Sequence, residues 1–158
     1  MISNLAYVDP RAQLGANVKV EPFAYIQGDV IIGDGTWIGP NAVIYDGARI
    51  GKNCRIFNGA SVAAMPQDLK FAGEITTLEI GDNTTIREFA TLHRGTVAAG
   101  KTVIGSSCLL MTYVHVDDDC VVGDHVIMGG YSGIAGEVKL DDWAILGGNT
   151  MVHQFVRI

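Results

Sequence analysis

The stretch "IIGDGTWIGPNAVIYDGARIGKNCRI", residues 31–56, places an isoleucine at every sixth position. Steps of six in both directions extend this aliphatic series over most of the chain. Its members are Ile2, Val8, Leu14, Val20, Ile26, Ile32, Ile38, Ile44, Ile50, Ile56, Val62, Ile80, Ile86, Leu92, Ile104, Leu110, Val116, Val122, Met128, Ile134, Leu140, Leu146, Val152 and Ile158. A small or β-branched residue follows most of them by four positions, and glycine is frequent directly after them.

A period of six fits neither an α-helix, whose period is 3.6, nor a long alternating strand, whose period is 2. It is typical of a hexapeptide-repeat parallel β-helix, in which each hexapeptide forms one short strand and one corner. Three hexapeptides complete one triangular coil, and the aliphatic side chains point into the prism. We therefore predict an all-β solenoid, with residues 1–158 as a single domain.

The series is interrupted in two places. Asp68 and Glu74 occupy positions where aliphatic residues are due, and Ala98 weakens the series further on. Because the phase resumes after each interruption, we predict an external loop at about residues 63–79 and a minor one at about 96–101. Long loops in compact domains are more often functional than merely connecting, so the first loop is a candidate binding element.

Composition excludes several classes of partner. The 158-residue chain has a formal net charge of −6 and no cluster of lysine or arginine, which argues against nucleic acid and anionic membranes as partners. Its apolar runs are too short for membrane insertion, and its N-terminus lacks the pattern of a secretory signal. Cys54, Cys108 and Cys120 are too few and too dispersed for a disulfide framework or a zinc ribbon. A reducing cytoplasm is the predicted location.

The chain resembles the UDP-N-acetylglucosamine O-acyltransferases in five segments. They are "PQDLKFAGE" (66–74), "IGDNTTIREFATLHRGT" (80–96), "LLMTYVHV" (109–116), "GEVKLDDWAILGG" (136–148) and "VHQF" (152–155). The resemblance implies a left-handed parallel β-helix that forms a homotrimer with active sites between subunits. It also implies transfer of a 3-hydroxyacyl group from acyl carrier protein to the 3-hydroxyl of UDP-N-acetylglucosamine, in lipid A biosynthesis. It implies neither cofactor nor metal, since a thioester donor and a hydroxyl acceptor need only a base and an oxyanion stabiliser.

The resemblance also implies roles for individual residues. Positions that match substrate-binding residues of the family are Asp68, Lys70, His93, His153 and Gln154. His115 matches a histidine that positions the substrate, whereas His125 matches no functional residue and is read as structural. The alternatives are an exposed ion pair between Asp68 and Lys70, and surface histidines that only make hydrogen bonds.

The segment "HVDDDC", residues 115–120, departs from the family pattern of histidine, aliphatic residue, small residue, histidine, aspartate and cysteine. Asp118 stands at the position of the general base, and Glu137 stands where some members carry a histidine. Aspartate, with an ordinary pKa of about 3.9, is a weaker base than histidine at about 6.5. We therefore expect a solvated corner that has lost its base, with activity weakened or absent. The alternatives are a carboxylate base whose pKa is raised by Asp117 and Asp119, or an altered sequence.

Two other functions stay open. One is a non-catalytic paralogue or fragment that binds sugar nucleotide or acyl carrier protein. The other is a metal enzyme similar to the γ-class carbonic anhydrases, with zinc on His93, His115 and Cys120. Family members continue with further coils and a helical C-terminal domain, whereas this chain ends at Ile158 without a polar cap. We expect either a fragment or an end that another molecule covers.

Overall fold

A computed structural model describes residues 1–158. Twenty-two short strands and no helix wind into a left-handed parallel β-helix of triangular cross-section, which confirms the fold predicted from the six-residue period. Within each sheet, neighbouring strands are three places apart in the chain and pair in parallel. Consecutive hexapeptides therefore contribute to three different sheets.

The three sheets form the faces of the prism. The first contains β1 (Tyr7–Val8), β4 (Tyr25–Ile26), β7 (Val43–Ile44), β10 (Ser61–Ala64), β13 (Thr91–His93), β16 (His115–Val116), β19 (Gly133–Ile134) and β22 (Met151–Val152). The second contains β2 (Gln13–Leu14), β5 (Ile31–Ile32), β8 (Ala48–Ile50), β11 (Thr77–Ile80), β14 (Lys101–Ile104), β17 (Val121–Val122) and β20 (Lys139–Leu140). The third contains β3 (Lys19–Val20), β6 (Trp37–Ile38), β9 (Arg55–Ile56), β12 (Thr85–Ile86), β15 (Leu109–Leu110), β18 (Ile127–Met128) and β21 (Ile145–Leu146).

The inside of the prism is a continuous apolar column. Ile26 pairs with Ile44, which pairs with Val62, and all three are fully buried. Burial of one such side chain is worth about 1.5–3 kcal/mol, so the stacked coils stabilise one another through this column. In the first and last coils, Ile2 and Ile158 are 50% and 47% exposed.

Both interruptions of the repeat are insertions whose length is a multiple of six. Ile32 pairs with Ile50, eighteen residues on, whereas Ile50 pairs with Ile80 and Ile80 with Ile104. These longer spacings correspond to insertions of twelve and six residues, which is why the aliphatic phase resumes unchanged. β10 and β11 are each four residues long, and the first insertion is the segment between them, residues 65–76. The second forms the turn at 97–100.

The corners carry residues in the left-handed conformation, which asparagine and aspartate tolerate better than most side chains. Asn17, Asn41, Asn53 and Asp119 have φ values between 53° and 59°. The cysteines Cys54, Cys108 and Cys120 are all free and buried in the prism. The structure holds no helix with the length and hydrophobicity that a membrane crossing requires.

Candidate functional site

Two of the three aspartates at the corner after β16 are buried. Asp118 is 7% exposed and Asp119 is 5% exposed, while Asp117 is half-buried. The prediction of a solvated corner is therefore wrong. The corner lies beneath the two insertions, since the 65–76 loop lines a pocket with Asp118 and the segment before the 97–100 turn binds Asp119.

Asp119 has a structural role in this arrangement. Its Oδ1 accepts the Thr96 backbone N–H at 2.8 Å, and its Oδ2 accepts the Thr96 hydroxyl. The Thr102 Oγ1 accepts the Asp119 backbone N–H at 2.9 Å. These bonds tie the corner to both ends of the second insertion and leave no side-chain oxygen of Asp119 directed at the pocket.

Asp117 and Asp118 have opposite pKa shifts. Burial raises the pKa of Asp118 to about 7, and the neighbouring Asp117 carboxylate adds to the effect. The nearby His115 lowers the pKa of Asp117 to about 2, helped by the Asp118 backbone N–H, which donates to Asp117 Oδ1. A carboxyl group with this proton affinity is partly ionised near pH 7, so Asp118 can accept and return a proton there.

The two histidines His93 and His115 stand side by side on neighbouring strands of the first sheet, with ring centroids 5.2 Å apart. His93 Nδ1 donates to the Met65 carbonyl oxygen at 2.8 Å, which leaves its Nε2 as an acceptor, and burial lowers the pKa of His93. His115 Nδ1 lies 2.8 Å from Thr91 Oγ1, and its Nε2 lies 3.8 Å from Asp117 Oδ2. The imidazoles thus connect the loop, through Met65, to the carboxylate corner.

A pocket of about 350 Å³ brings the loop and the corner together. Its lining is Gln67, Asp68, Lys70, Asp117, Asp118, Ala135, Gly136 and Gln154. Asp68 Oδ1 accepts the Lys70 backbone N–H at 2.8 Å, and the two side chains form no ion pair, contrary to the surface-pair alternative. The structure therefore places the Lys70 ammonium, the Gln67 and Gln154 amides and the Asp118 carboxyl around one polar pocket.

Two further pockets adjoin this one. Asp68 and Lys70 also line a smaller space of about 140 Å³ with Glu137, which is exposed. On the other side of the loop a larger groove of about 780 Å³ contains Asp68, His93 and Arg94. Arg94 lies with its guanidinium carbon 5.4 Å from the Phe71 ring centroid, a cation–π contact that holds the loop against the β-helix.

Some of the predicted residues lie outside these pockets. His153 is exposed, with Nδ1 3.3 Å from the carbonyl oxygen of Gln154, and it lines none of the three pockets. His125 stacks on Trp143 with ring centroids 4.1 Å apart. The Cys120 thiol is fully buried and lies 3.1 Å from the Ala135 carbonyl oxygen. No group of three His, Cys, Asp or Glu side chains lies close enough together to hold a metal ion.

Sequence reasoning did not identify Thr91, Gln67 or Gly136 as part of the site. Thr91 pairs with His115 across the first sheet, so a count through the six-residue insertion would have placed them together. Gly136 could not have been recognised from spacing. A Cβ at this position would lie 3.4 Å from Asp118 Oδ2, so glycine keeps the carboxyl accessible from the pocket.

Comparisons with known proteins identify relatives of this chain. The protein-family model for bacterial transferase hexapeptides (six repeats) matches residues 29–64 and 101–136. The chain is 52% identical to the acyl-acyl-carrier-protein–UDP-N-acetylglucosamine O-acyltransferase of Herminiimonas arsenicoxydans, over 100% of this chain and 61% of that protein. The chain thus spans about three fifths of the length of this relative.

Solved structures give the same result. The UDP-N-acetylglucosamine acyltransferase of Francisella novicida is 41% identical with a TM-score of 0.97, over 99% of this chain and 58% of that one. The UDP-N-acetylglucosamine acyltransferase of Bacteroides fragilis is 42% identical with a TM-score of 0.73, over 100% of this chain and 67% of that one.

Proposed function

The chain belongs to the family of UDP-N-acetylglucosamine O-acyltransferases, and on that basis we propose that it transfers a 3-hydroxyacyl group from acyl carrier protein to the 3-hydroxyl of UDP-N-acetylglucosamine in lipid A biosynthesis. One observation carries the proposal for this chain. Asp118, at the general-base position, is buried in a polar pocket and has a pKa raised to about 7.

The reaction needs a base that is ionised near neutral pH and still holds a proton well enough to return it. The Asp118 carboxylate accepts the proton of the sugar hydroxyl as the hydroxyl oxygen bonds to the thioester carbonyl carbon. The carbon–sulfur bond then breaks, and the proton passes from Asp118 to the leaving thiolate. An exposed aspartate would be too weak a base, so the burial of this corner favours catalysis over the loss of activity expected from its sequence.

The remaining site residues receive binding roles in this proposal. Lys70 supplies the only cationic side chain of the pocket of about 350 Å³ and would contact the anionic or carbonyl groups of the substrates. Asp68 and Gln154 supply acceptors and an amide for sugar hydroxyls. His93 lines the groove on the other side of the loop, and His115 lies beside it and next to Asp117.

Glu137 and His153 would contact substrate only at the periphery, because both are exposed on this chain.

Three copies of the chain would then complete the site between neighbouring subunits in the cytoplasm. Support for a homotrimer comes from the family and from exposed stacked rings at one corner. Phe89 and Tyr113 stack at 5.3 Å, and Tyr113 and Tyr131 at 5.1 Å. A row of exposed aromatic side chains is typical of a protein–protein contact.

The test is an acyl-transfer assay with UDP-N-acetylglucosamine and a series of 3-hydroxyacyl carrier proteins, with the acylated sugar nucleotide detected by mass spectrometry. We expect turnover by the native protein and a loss of about 10²–10⁴-fold in Asp118→Asn. His125→Asn, which alters a ring outside the pockets, is the matched control and should remain active. Absence of product with every chain length would overturn the proposed activity. Tight binding of both substrates in that case would identify a binding module instead.

A further inference from the structure

The pair formed by Asp117 and Asp118 is not explained by the acyl-transfer chemistry alone. A single base suffices for that reaction, yet this chain brings a second carboxylate into the same pocket. Asp117 Oδ1 accepts the Asp118 backbone N–H at 3.0 Å, and Asp117 Oδ2 lies 3.8 Å from His115 Nε2. Its carboxylate is therefore oriented from both sides and held in its ionised form next to Asp118.

On the basis of the proposed function, we propose that Asp117 is a positioning residue that acts through Asp118. Asp117 accepts a hydrogen bond from protonated Asp118 and so keeps on the Asp118 carboxyl the proton that the reaction uses. Two like charges this close oppose simultaneous ionisation, so a second carboxylate strengthens proton binding by the first. The His115 contact decides which member stays ionised, because it lies against Asp117.

A carboxylate base and an imidazole base at position 118 place opposite demands on the residue at 117. A histidine at 118, near its ordinary pKa of about 6.5, would need no help to act as a base at neutral pH. A carboxylate beside that histidine would stabilise the imidazolium and make it a poorer base. An aspartate at 118, in contrast, needs the neighbouring negative charge. The two aspartates are thus a matched pair.

Other ionisable groups around Asp118 come from four elements. They are His115, Asp119 and Cys120 from its own strand and corner, His93 from β13, Asp68 and Lys70 from the 65–76 loop, and Glu137 from the next corner. Asp119 directs its oxygens to Thr96, and Glu137 donates only its backbone N–H to the Asp118 carbonyl oxygen at 3.0 Å. Asp117 is the acidic residue that both lines the pocket with Asp118 and accepts the Asp118 backbone N–H, and its charge raises the pKa of Asp118.

The test is a carbon-13 titration of protein labelled at its aspartate carboxyl carbons, with Asp118→Asn used to assign the signal. In Asp117→Ala we expect the midpoint for Asp118 to fall by at least about one pH unit, a tenfold loss of proton affinity. Asp117→Asn keeps an acceptor for the Asp118 N–H and should lower the midpoint as well, which protects the experiment if the alanine variant fails to fold. Asp124→Asn, at a corner outside the pockets, is the matched control and should leave the midpoint unchanged.

An unchanged Asp118 midpoint in both Asp117 variants would overturn the inference and leave Asp117 as a structural cap. The titration needs no substrate, so its outcome is separate from that of the proposed function. A protein without turnover whose Asp118 midpoint moves as expected refutes the acyl transfer and retains the pair. An active protein whose Asp118 midpoint does not move supports the acyl transfer and refutes the pair.

Kinetics supply a second readout. Asp117→Ala combined with Asp118→His should be about threefold or more faster at pH 6.5 than Asp118→His alone, in which the Asp117 carboxylate keeps the new imidazole protonated. Equal rates for the two variants would contradict the matched pair.

Discussion

Replacement of Asp118 by asparagine should change how the stability of the protein depends on pH. A pKa raised from the ordinary value of 3.8 to about 7 means that the native state binds this proton more tightly than the unfolded chain does. Between pH 4 and pH 7 the unfolded chain therefore loses the proton first, and the free energy of unfolding falls as pH rises. Asp117, whose pKa is lowered to about 2, contributes stability that is lost only below pH 4.

The size of the effect follows from the shift. The change at Asp118 corresponds to at most about 3 kcal/mol between pH 4.5 and pH 8, and local relaxation of the pocket reduces this to about 1–3 kcal/mol. Asp118→Asn cannot titrate, so its stability relative to the native sequence should improve by that amount over this pH range. The comparison of two pH values cancels the fixed effect of the amide on packing.

Urea unfolding of both proteins at pH 4.5 and pH 8, at one protein concentration, measures this difference from the transition midpoints with m held constant. Asp124→Asn provides a corner aspartate outside the pockets as control. A stability difference between Asp118→Asn and the native protein that stays constant within about 0.5 kcal/mol over this range would refute the reasoning.

Two other perturbations test the β-helix and its loop. Gly81→Ala places a Cβ 2.6 Å from the Ser106 backbone nitrogen and should destabilise the protein by about 2–4 kcal/mol in urea unfolding. Gly147→Ala, whose Cβ has no neighbour nearer than 3.8 Å, should be close to neutral. Equal stabilities of the two variants would contradict the close stacking of the corners. His93→Ala removes the hydrogen bond to Met65 at the start of the 65–76 loop. The rate of tryptic cleavage at Lys70 should rise several-fold, since local opening of the loop controls cleavage. An unchanged rate would show that the loop is held by other contacts.

The regular part of the fold could be predicted because one period accounts for it. Every sixth side chain enters the prism, and insertions of twelve and six residues preserve the phase, so Ile80 and Ile104 keep their places in the core. The same property concealed how the insertions fold. Their conformation depends on contacts between distant residues, such as Phe71 with Arg94, which no local pattern encodes.

Four of the predicted site residues lie together in the structure, whereas their electrostatics could not be predicted from the sequence. Motif positions identified Asp68, Lys70, Gln154 and Asp118, which do line one pocket. Their spacing could not show that Asp118 is buried, because its cover comes from a loop some fifty residues earlier in the chain. A run of three aspartates is ordinarily a solvated feature, and only the packed environment raises the pKa of Asp118 to about 7.

The most direct test of the central claim is the pH dependence of kcat/KM for the native protein with UDP-N-acetylglucosamine and 3-hydroxyacyl carrier protein. If Asp118 is the base, kcat/KM should rise about tenfold per pH unit below a midpoint near 7 and become constant above it. A rate that is constant from pH 5 to pH 8, or a midpoint near 4 where an ordinary aspartate ionises, would contradict the account.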